Sequence, residues 1–164
     1  FLNFARPQPL QLDQVDLLEL VHDCQTELSP LFNERKVELL IENPSGPIQV
    51  AADERMLRQT LLNLMRNAAE AIPEANDRRR VAVGVSRASE DGNDYAVVTV
   101  QDSGPGIPTA QLQKIFIPFF TTKATGHGIG LALAHRVVSQ HGGELTVANN
   151  NGARFTLRLP VQSV

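Results

Sequence analysis

Two asparagines, Asn63 and Asn67, stand four residues apart in the segment "NLMRNAAEA". Residues at this spacing lie on one face of a helix, so the two amides would form a polar spot on a stripe that is otherwise apolar. A neutral amide oxygen is a suitable ligand for a hard cation that also carries phosphate oxygens. The pair therefore indicates a cation site, although a single helical asparagine most often faces water.

An aspartate, Asp102, ends the apolar run "VVTVQD" and is followed by Gly104, Gly106 and Pro108. A carboxylate at the end of a buried strand can accept a hydrogen bond from an amino group held in a pocket, such as the exocyclic amine of adenine. The glycines would let such a pocket close around a flat ring. The alternative is an Asp-Gly turn that only ends the strand.

Three alternate glycines, Gly126, Gly128 and Gly130, precede the helical run "LALAHRV". Consecutive backbone N–H groups with a helix N-terminus behind them form a phosphate-binding cradle. The spacing matches neither the dinucleotide-binding fingerprint nor a P-loop, so a flexible hinge is the alternative. Lys123 offers a cation just upstream, unless it is a solvated surface lysine.

Helices are predicted where these residues lie. Asp16 is a candidate N-cap for "LLELVHDCQTELSPLF", and Asp53 for the long helix "ERMLRQTLLNLMRNAAEAI". The long helix has a broad apolar face formed by Leu57, Leu61, Leu64, Met65, Ala68 and Ile72. "TAQLQKIF" predicts a short helix, and "GLALAHRVVSQH" a longer one that Gly142 and Gly143 end.

Strands are predicted in pairs between the helices. They are "KVELLIE" with "PIQVA", "VAVGVSR" with "DYAVVTVQD", and "ELTVANN" with "ARFTLRLP". Hairpins alternating with helices predict an α+β fold: a two-layer sandwich whose mixed, mostly antiparallel sheet of about five strands is covered on one face by three helices.

The composition restricts the function classes. The 164 residues are 42% hydrophobic, which fits one globular domain, and the net charge of −3 predicts no nucleic-acid partner. The single cysteine, Cys24, and the lack of an apolar run long enough to span a bilayer favour a reducing, cytoplasmic location. Because the chain begins at Phe1 without a signal-peptide pattern, we expect it to be a piece of a longer protein.

Together these stretches resemble the ATP-binding catalytic domain of sensor histidine kinases, in the superfamily shared with type II topoisomerases, Hsp90 chaperones and MutL. "NLMRNAAEA" resembles the N box of that family, "DSGPGI" the G1 box, "IFIPFFTTK" the F box and "GHGIGLALA" the G2 box, in the family's order. "FLNFARP" looks like the end of a dimerisation helix and its linker, which implies a linker over residues 1–12 and a catalytic domain over 13–164. "PFFTTK" resembles kinases that partner nitrogen-regulation-type response regulators.

The resemblance implies ATP and Mg²⁺ as ligands and a role for each motif residue. Asn67 would hold Mg²⁺ with Asn63 beside it, Asp102 would recognise the adenine amine, and a lid would extend from about Pro118 to His127. The base would be bordered by Gly104, Gly106 and Ile107, with Phe155 as a floor or as a core residue. The phosphates would be held by Arg66, Lys123, Gly126, His127, Gly128, Ile129, Gly130 and Leu131. Asn63 and Lys123 are the candidate catalytic residues.

The phosphoacceptor pattern of the family is absent. None of the four histidines stands in a His-Glu-x-x-x-Pro sequence; they are His22, His127, His135 and His141. The resemblance therefore implies that this chain binds ATP or ADP and donates the γ-phosphoryl group to a histidine on a separate dimerisation domain, for relay to an aspartate of a response-regulator receiver domain. The fragment is expected to be a monomer and its parent a homodimer.

Two other functions remain open. One is an ATPase or an anti-sigma-like serine kinase of the same superfamily, which usually carries a glutamate base where this chain has Asn63. The other is a nucleotide-sensing interaction module that binds ATP or ADP without transferring phosphate.

Overall fold

The computed structural model describes residues 9–120 and 130–161 of the chain. It contains three helices, α1 (Leu17–Arg35), α2 (Glu54–Glu70) and α3 (Gly130–Gln140). The strands are β1 (Asp13–Asp16), β2 (Glu38–Glu42), β3 (Gln49–Ala52), β4 (Arg80–Glu90), β5 (Asn93–Asp102), β6 (Glu144–Asn149) and β7 (Ala153–Pro160).

Five of the strands form the main sheet, in the order β2-β4-β5-β7-β6. Strand β2 lies parallel to β4, and the other neighbours are antiparallel. Every second residue is buried over residues 81–85 of β4 and 96–102 of β5, as expected for strands covered on one face. The helices provide that cover, since α1, α2 and α3 all contact strands of the sheet. The predicted α+β sandwich is confirmed.

Two aspartates begin the first two helices as predicted. Asp16 accepts a hydrogen bond from the Glu19 N–H, and Asp53 accepts one from the Met56 N–H. These bonds satisfy backbone donors that have no partner inside the helix. The predicted apolar face of α2 belongs to the core, because its six residues, the last of which (Ile72) follows the end of the helix, are each at most 4% exposed.

The strand pairing differs from the prediction at one place. β2 and β3 do not form a hairpin, since β3 pairs with β1 in a separate two-stranded sheet and β2 pairs with β4. Strand β1 has only four residues, too few to show a two-residue alternation. Strands β2 and β3 therefore pair with β4 and β1, and their order in the sequence did not indicate these partners.

The predicted short helix over "TAQLQKIF" is confirmed only in its first three residues. A 3₁₀ helix covers only Thr109–Gln111, and turns follow it up to Phe119. The N–H groups of Lys114, Ile117 and Phe120 each bond the carbonyl three residues earlier. This i to i+3 pattern cannot build an α-helix, which needs bonds between residues four apart.

Candidate functional site

The Asp102 side chain is buried at the end of β5, on the face of the sheet that the helices cover. It is 3% exposed, and its Oδ1 accepts hydrogen bonds from the N–H groups of Gly104 (2.9 Å) and Ala153 (3.1 Å). Within the described residues no donor bonds Oδ2. One carboxylate oxygen therefore fixes the side chain in the fold, and the other is left for a ligand with a donor group.

Burial raises the pKa of Asp102 above its ordinary value of 3.8, because removal from water disfavours the charged form. The two backbone N–H groups oppose this rise without cancelling it. A hydrogen-bond donor of a ligand at Oδ2 would stabilise the carboxylate further. The site thus has an acceptor that is incomplete without a ligand.

The loop after Asp102 is held by Asn149, at the end of β6. The Asn149 side chain accepts a hydrogen bond from the Ile107 N–H (2.8 Å) and donates one to the Ile107 carbonyl (2.7 Å). Gly106 lies against the same side chain with φ of +84°, where a Cβ would come within 2.7 Å of the Asn149 Oδ1. The glycine is required both by its backbone angle and by this close approach.

Close backbone contacts join this loop to two further elements. A Cβ at Gly104 would lie 2.7 Å from the Ala71 carbonyl oxygen at the end of α2. A Cβ at Gly152 would lie 2.1 Å from the Asp102 carbonyl oxygen. The end of α2, the Asp102 loop and the turn between β6 and β7 therefore meet at one place.

The two asparagines contact each other as their spacing predicted. Asn67 Nδ2 donates a hydrogen bond to Asn63 Oδ1 over 3.1 Å, and both side chains are half-buried. The bond uses the amide oxygen of Asn63 and the amide nitrogen of Asn67. The amide oxygen of Asn67 stays outside this bond, in keeping with its predicted role as a cation ligand.

The first residue of α3 lies against this pair. A Cβ at Gly130 would come within 2.7 Å of Asn63 Oδ1 and 2.9 Å of Asn63 Nδ2. The N-terminus of α3 is thus next to the asparagine face of α2. A helix N-terminus beside amide groups is a favourable place for phosphate.

The other described site candidates occupy different environments. Arg66 is exposed, and Leu131 is half-buried and packs against the core, as does Ile107. Phe155 is 6% exposed on β7, with its ring 6.2 Å from the ring of Phe116 in an edge-on arrangement. Phe155 is therefore a core residue.

The remaining predicted residues lie outside the described part of the chain. They are Lys123, Gly126, His127, Gly128 and Ile129, and most of the predicted lid lies there as well. In residues 9–120 and 130–161, no three side chains of the His, Cys, Asp or Glu type form a metal-binding group. A cation at Asn67 would therefore need the negative charge of phosphate oxygens to complete its coordination.

Comparison with known proteins agrees with this geometry. The family described as histidine kinase-, DNA gyrase B-, and HSP90-like ATPases matches residues 52–163, which include α2, the Asp102 loop and α3. This chain belongs to that family. The match covers most of the chain.

Among members of this ATPase family, the chain is similar to sensor histidine kinases. It is 41% identical over 162 residues to the sensor histidine kinase ZraS of Escherichia coli O157:H7, covering 98% of this chain and 34% of ZraS. The chain thus spans about a third of the length of such curated relatives. It is the ATP-binding catalytic domain of the sensor histidine kinase type.

Two solved structures show the same fold. Full-length ShkA in complex with AMPPNP matches with a TM-score of 0.81 and 29% identity, over 99% of this chain and 35% of that one. Histidine kinase ThkA in complex with the response regulator protein TrrA matches with a TM-score of 0.77 and 26% identity, over 98% of this chain and 45% of that one.

Three contacts around the candidate site could not be predicted from the sequence. They are the Asn149 clamp on Ile107, the close approach of Gly152 to Asp102, and that of Gly104 to the end of α2. The run "NNNG" after β6 was a signal for a turn, but a turn signal does not tell which distant loop the turn contacts.

The described residues also form a cavity that is separate from the asparagine pair. It measures about 400 Å³, and its lining includes outer-face residues of the sheet (Ala82, Gly84, Thr99 and Arg154) as well as Asp102. On β4 and β5 these outer-face positions alternate with the buried residues that face the helices.

In the described ranges, no helix of this domain is long and apolar enough to cross a membrane.

Proposed function

We propose that this domain binds Mg–ATP and donates the γ-phosphoryl group to a histidine of a dimerisation domain in the intact kinase. The observation that carries the proposal is Asp102, a buried carboxylate with one oxygen bonded by the protein and the other available for a donor. The exocyclic amine of adenine is such a donor. The AMPPNP bound to ShkA supports the choice of an adenine nucleotide.

The residue roles follow from what each group offers. Asp102 accepts a hydrogen bond from the adenine amine. The loop of Gly104, Gly106 and Ile107 borders the base. The N-terminus of α3, with Gly130 and Leu131, lies behind the phosphates. Phosphate is further contacted by Arg66, Lys123, Gly126, His127, Gly128 and Ile129. Phe155 supports the floor of the base pocket from the core.

The cation is proposed at Asn67. Mg²⁺ would neutralise phosphate charge during the transfer, and an amide oxygen suits it when phosphate oxygens supply the remaining charge. Asn63 holds the Asn67 amide through their 3.1 Å hydrogen bond. Asn63 is thus proposed to orient the cation ligand, and Lys123 to stabilise the charge of the phosphoryl group.

The transfer itself needs a nucleophile from outside this chain. The lone pair of an imidazole nitrogen forms the new N–P bond, and the bond from the γ-phosphorus to the bridging oxygen breaks with its electrons left on ADP. The proton of the other ring nitrogen passes to a base on the acceptor domain. The phosphoryl group then passes to an aspartate of a receiver domain, a partnership that the ThkA–TrrA complex supports.

Asn63 weighs against hydrolysis as the main activity. An amide cannot take a proton from water, and the asparagine stands where a base of the related ATPases would be expected. We therefore infer phosphoryl transfer to a histidine rather than activation of water.

The remaining proposals are a linker at residues 1–12, a catalytic domain at 13–164, a cytoplasmic location, and a monomeric fragment of a homodimeric parent.

The experiment is a transfer assay with ATP labelled at the γ-phosphoryl group. The chain alone should neither become labelled nor release phosphate quickly. When the dimerisation domain of the proposed intact kinase is added, the label should appear on that domain in an acid-labile form. Fast phosphate release by the chain alone would favour an ATPase, and tight ATP binding without transfer to that domain would favour a nucleotide sensor.

A further inference from the structure

A hydrogen bond joins the start of α2 to the end of α3, away from the contact between Asn63 and Gly130. The backbone N–H of Asp53, at the start of α2, donates a hydrogen bond to His141 Nε2 over 2.9 Å. His141 directly follows α3, and its Nδ1 lies 2.7 Å from the Val137 carbonyl oxygen. The two contacts together require a neutral ring with its proton on Nδ1.

The Asp53 side chain extends this junction to a third segment. Its Oδ1 accepts from the Met56 N–H (3.1 Å) and its Oδ2 from the Gln11 N–H (3.0 Å). The residue is 6% exposed, so these bonds are largely shielded from water. Asp53 therefore connects the start of α2, the end of α3 and the segment before β1.

The opposite end of α3 is at the proposed phosphate site. Gly130 starts the helix and lies against Asn63, while His141 follows its last residue. Eleven residues make a rod about 16 Å long. Helix α3 thus contacts α2 near both ends, which gives a displacement at the His141 end a path to the Gly130 end.

We propose that Asp53 and His141 are positioning residues that couple the segment before β1 to the phosphate end of α3. The inference rests on the proposed function, since it takes the Gly130 end as the phosphate site. Nucleotide binding at that end would tighten the Gln11 contact, and a displaced segment at Gln11 would weaken nucleotide binding. The coupling is reciprocal, because two linked equilibria change each other by the same factor.

The test is the hydrogen-exchange rate of the Gln11 backbone amide. NMR measures this rate on the 164-residue chain with and without saturating Mg–ADP. The expected result is an exchange rate about fivefold slower with the nucleotide bound, at the lower end of ordinary coupling between sites. His141→Leu removes the acceptor, so it should abolish this response and weaken ADP binding by a similar factor. His141→Gln, whose amide oxygen can accept from Asp53, should restore most of both.

A matched pair of cap variants separates the coupling from helix stability. Asp53→Ser keeps an N-cap oxygen for Met56 but is too short to hold Gln11 as well, so the response at Gln11 should vanish. Asp16→Ser makes the same change at the cap of α1, where the one capping bond is from the Glu19 N–H (3.0 Å). It should leave the response intact.

The outcomes distinguish this inference from the proposed function. ADP binding that leaves Gln11 exchange unchanged in the unsubstituted chain overturns the coupling alone, even if a variant fails to fold. A full response in His141→Leu or Asp53→Ser also overturns it. No ADP binding by the unsubstituted chain overturns the proposed function and the coupling with it.

Discussion

Asp53 and Asp102 are the two buried charged side chains in the described parts of the chain, at 6% and 3% exposed. Both follow or end a strand, and both accept hydrogen bonds from two backbone N–H groups. They differ in how the bonds are distributed. Asp53 uses one oxygen for each donor, whereas Asp102 takes both donors on Oδ1.

Their pKa values shift in opposite directions, because the balance between burial and the groups that stabilise the charged form differs. Burial would raise the pKa of Asp53, but the N–H groups of Gln11 and Met56 and the charge of Arg55 hold it below its ordinary value. For Asp102 burial is the stronger effect and the pKa is raised. We therefore propose that the carboxylate of Asp53, whose two oxygens both have protein donors, stabilises the fold, and that the carboxylate of Asp102 binds a ligand.

The largest expected effect comes from Gly152→Ala, which disturbs the backbone beneath Asp102. Gly152 has φ of +125°, and a Cβ there would lie 2.1 Å from the Asp102 carbonyl oxygen. We expect a loss of roughly 3 kcal/mol or more in the free energy of unfolding, measured with urea. Gly92→Ala is the control, because φ there is +79° and nothing lies within 4 Å of a Cβ. It should cost only about 1 kcal/mol, and equal losses would contradict the close approach.

A smaller effect is expected from Asn149→Ala, which frees the loop after Asp102. The variant loses both hydrogen bonds to the Ile107 backbone. We expect about tenfold weaker ADP binding by calorimetry, equivalent to about 1.4 kcal/mol for the ordering of the loop. The adjacent Asn150 side chain donates to Gln101 instead, so Asn150→Ala should bind ADP as the parent chain does. If the two variants bind equally, the clamp has no part in the site.

The smallest effect is a difference in how stability depends on pH. The lowered pKa of Asp53 gives a stabilising contribution that is present above the ordinary value of 3.8 and is lost as the pH falls through the folded pKa. The raised pKa of Asp102 gives a contribution that is present below 3.8 and is lost as the pH rises through the folded pKa.

Unfolding curves between about pH 3 and pH 6 check this contrast. Relative to Asp53→Asn, the parent chain should lose its advantage toward acid. Relative to Asp102→Asn, it should lose its advantage toward neutral pH. If the two stability differences, parent minus variant, changed with pH in the same direction, the two carboxylates would be in similar environments.

Local features of the sequence were enough to predict most elements and two features of the candidate site. The apolar face of α2, the caps Asp16 and Asp53, and the Asn63–Asn67 contact all depend on residues that are close in the chain. The burial of Asp102 follows from the apolar strand that it ends. Each of these signals has a period or a spacing that can be read directly.

The contacts that distinguish the two aspartates were beyond such reasoning. Gln11 and Asp53 are 42 positions apart, Asp53 and His141 are 88, and Asp102 and Ala153 are 51. These bonds join backbone groups to distant side chains and leave no periodic pattern. The parallel pairing of β2 with β4 was missed for the same reason.

The most direct measurement is calorimetric binding of Mg–ADP to the parent chain, Asp102→Asn and Asp53→Asn, with the unfolding temperature of each. Asn at position 102 keeps an oxygen for Gly104 and Ala153 but presents an NH₂ group in place of Oδ2. We expect micromolar to sub-millimolar binding by the parent. Binding should be at least about tenfold weaker in Asp102→Asn, with stability within about 1 kcal/mol of the parent. Asp53→Asn should lose stability and no more than about fivefold in affinity. Binding by Asp102→Asn equal to that of the parent would show that the nucleotide does not complete this carboxylate.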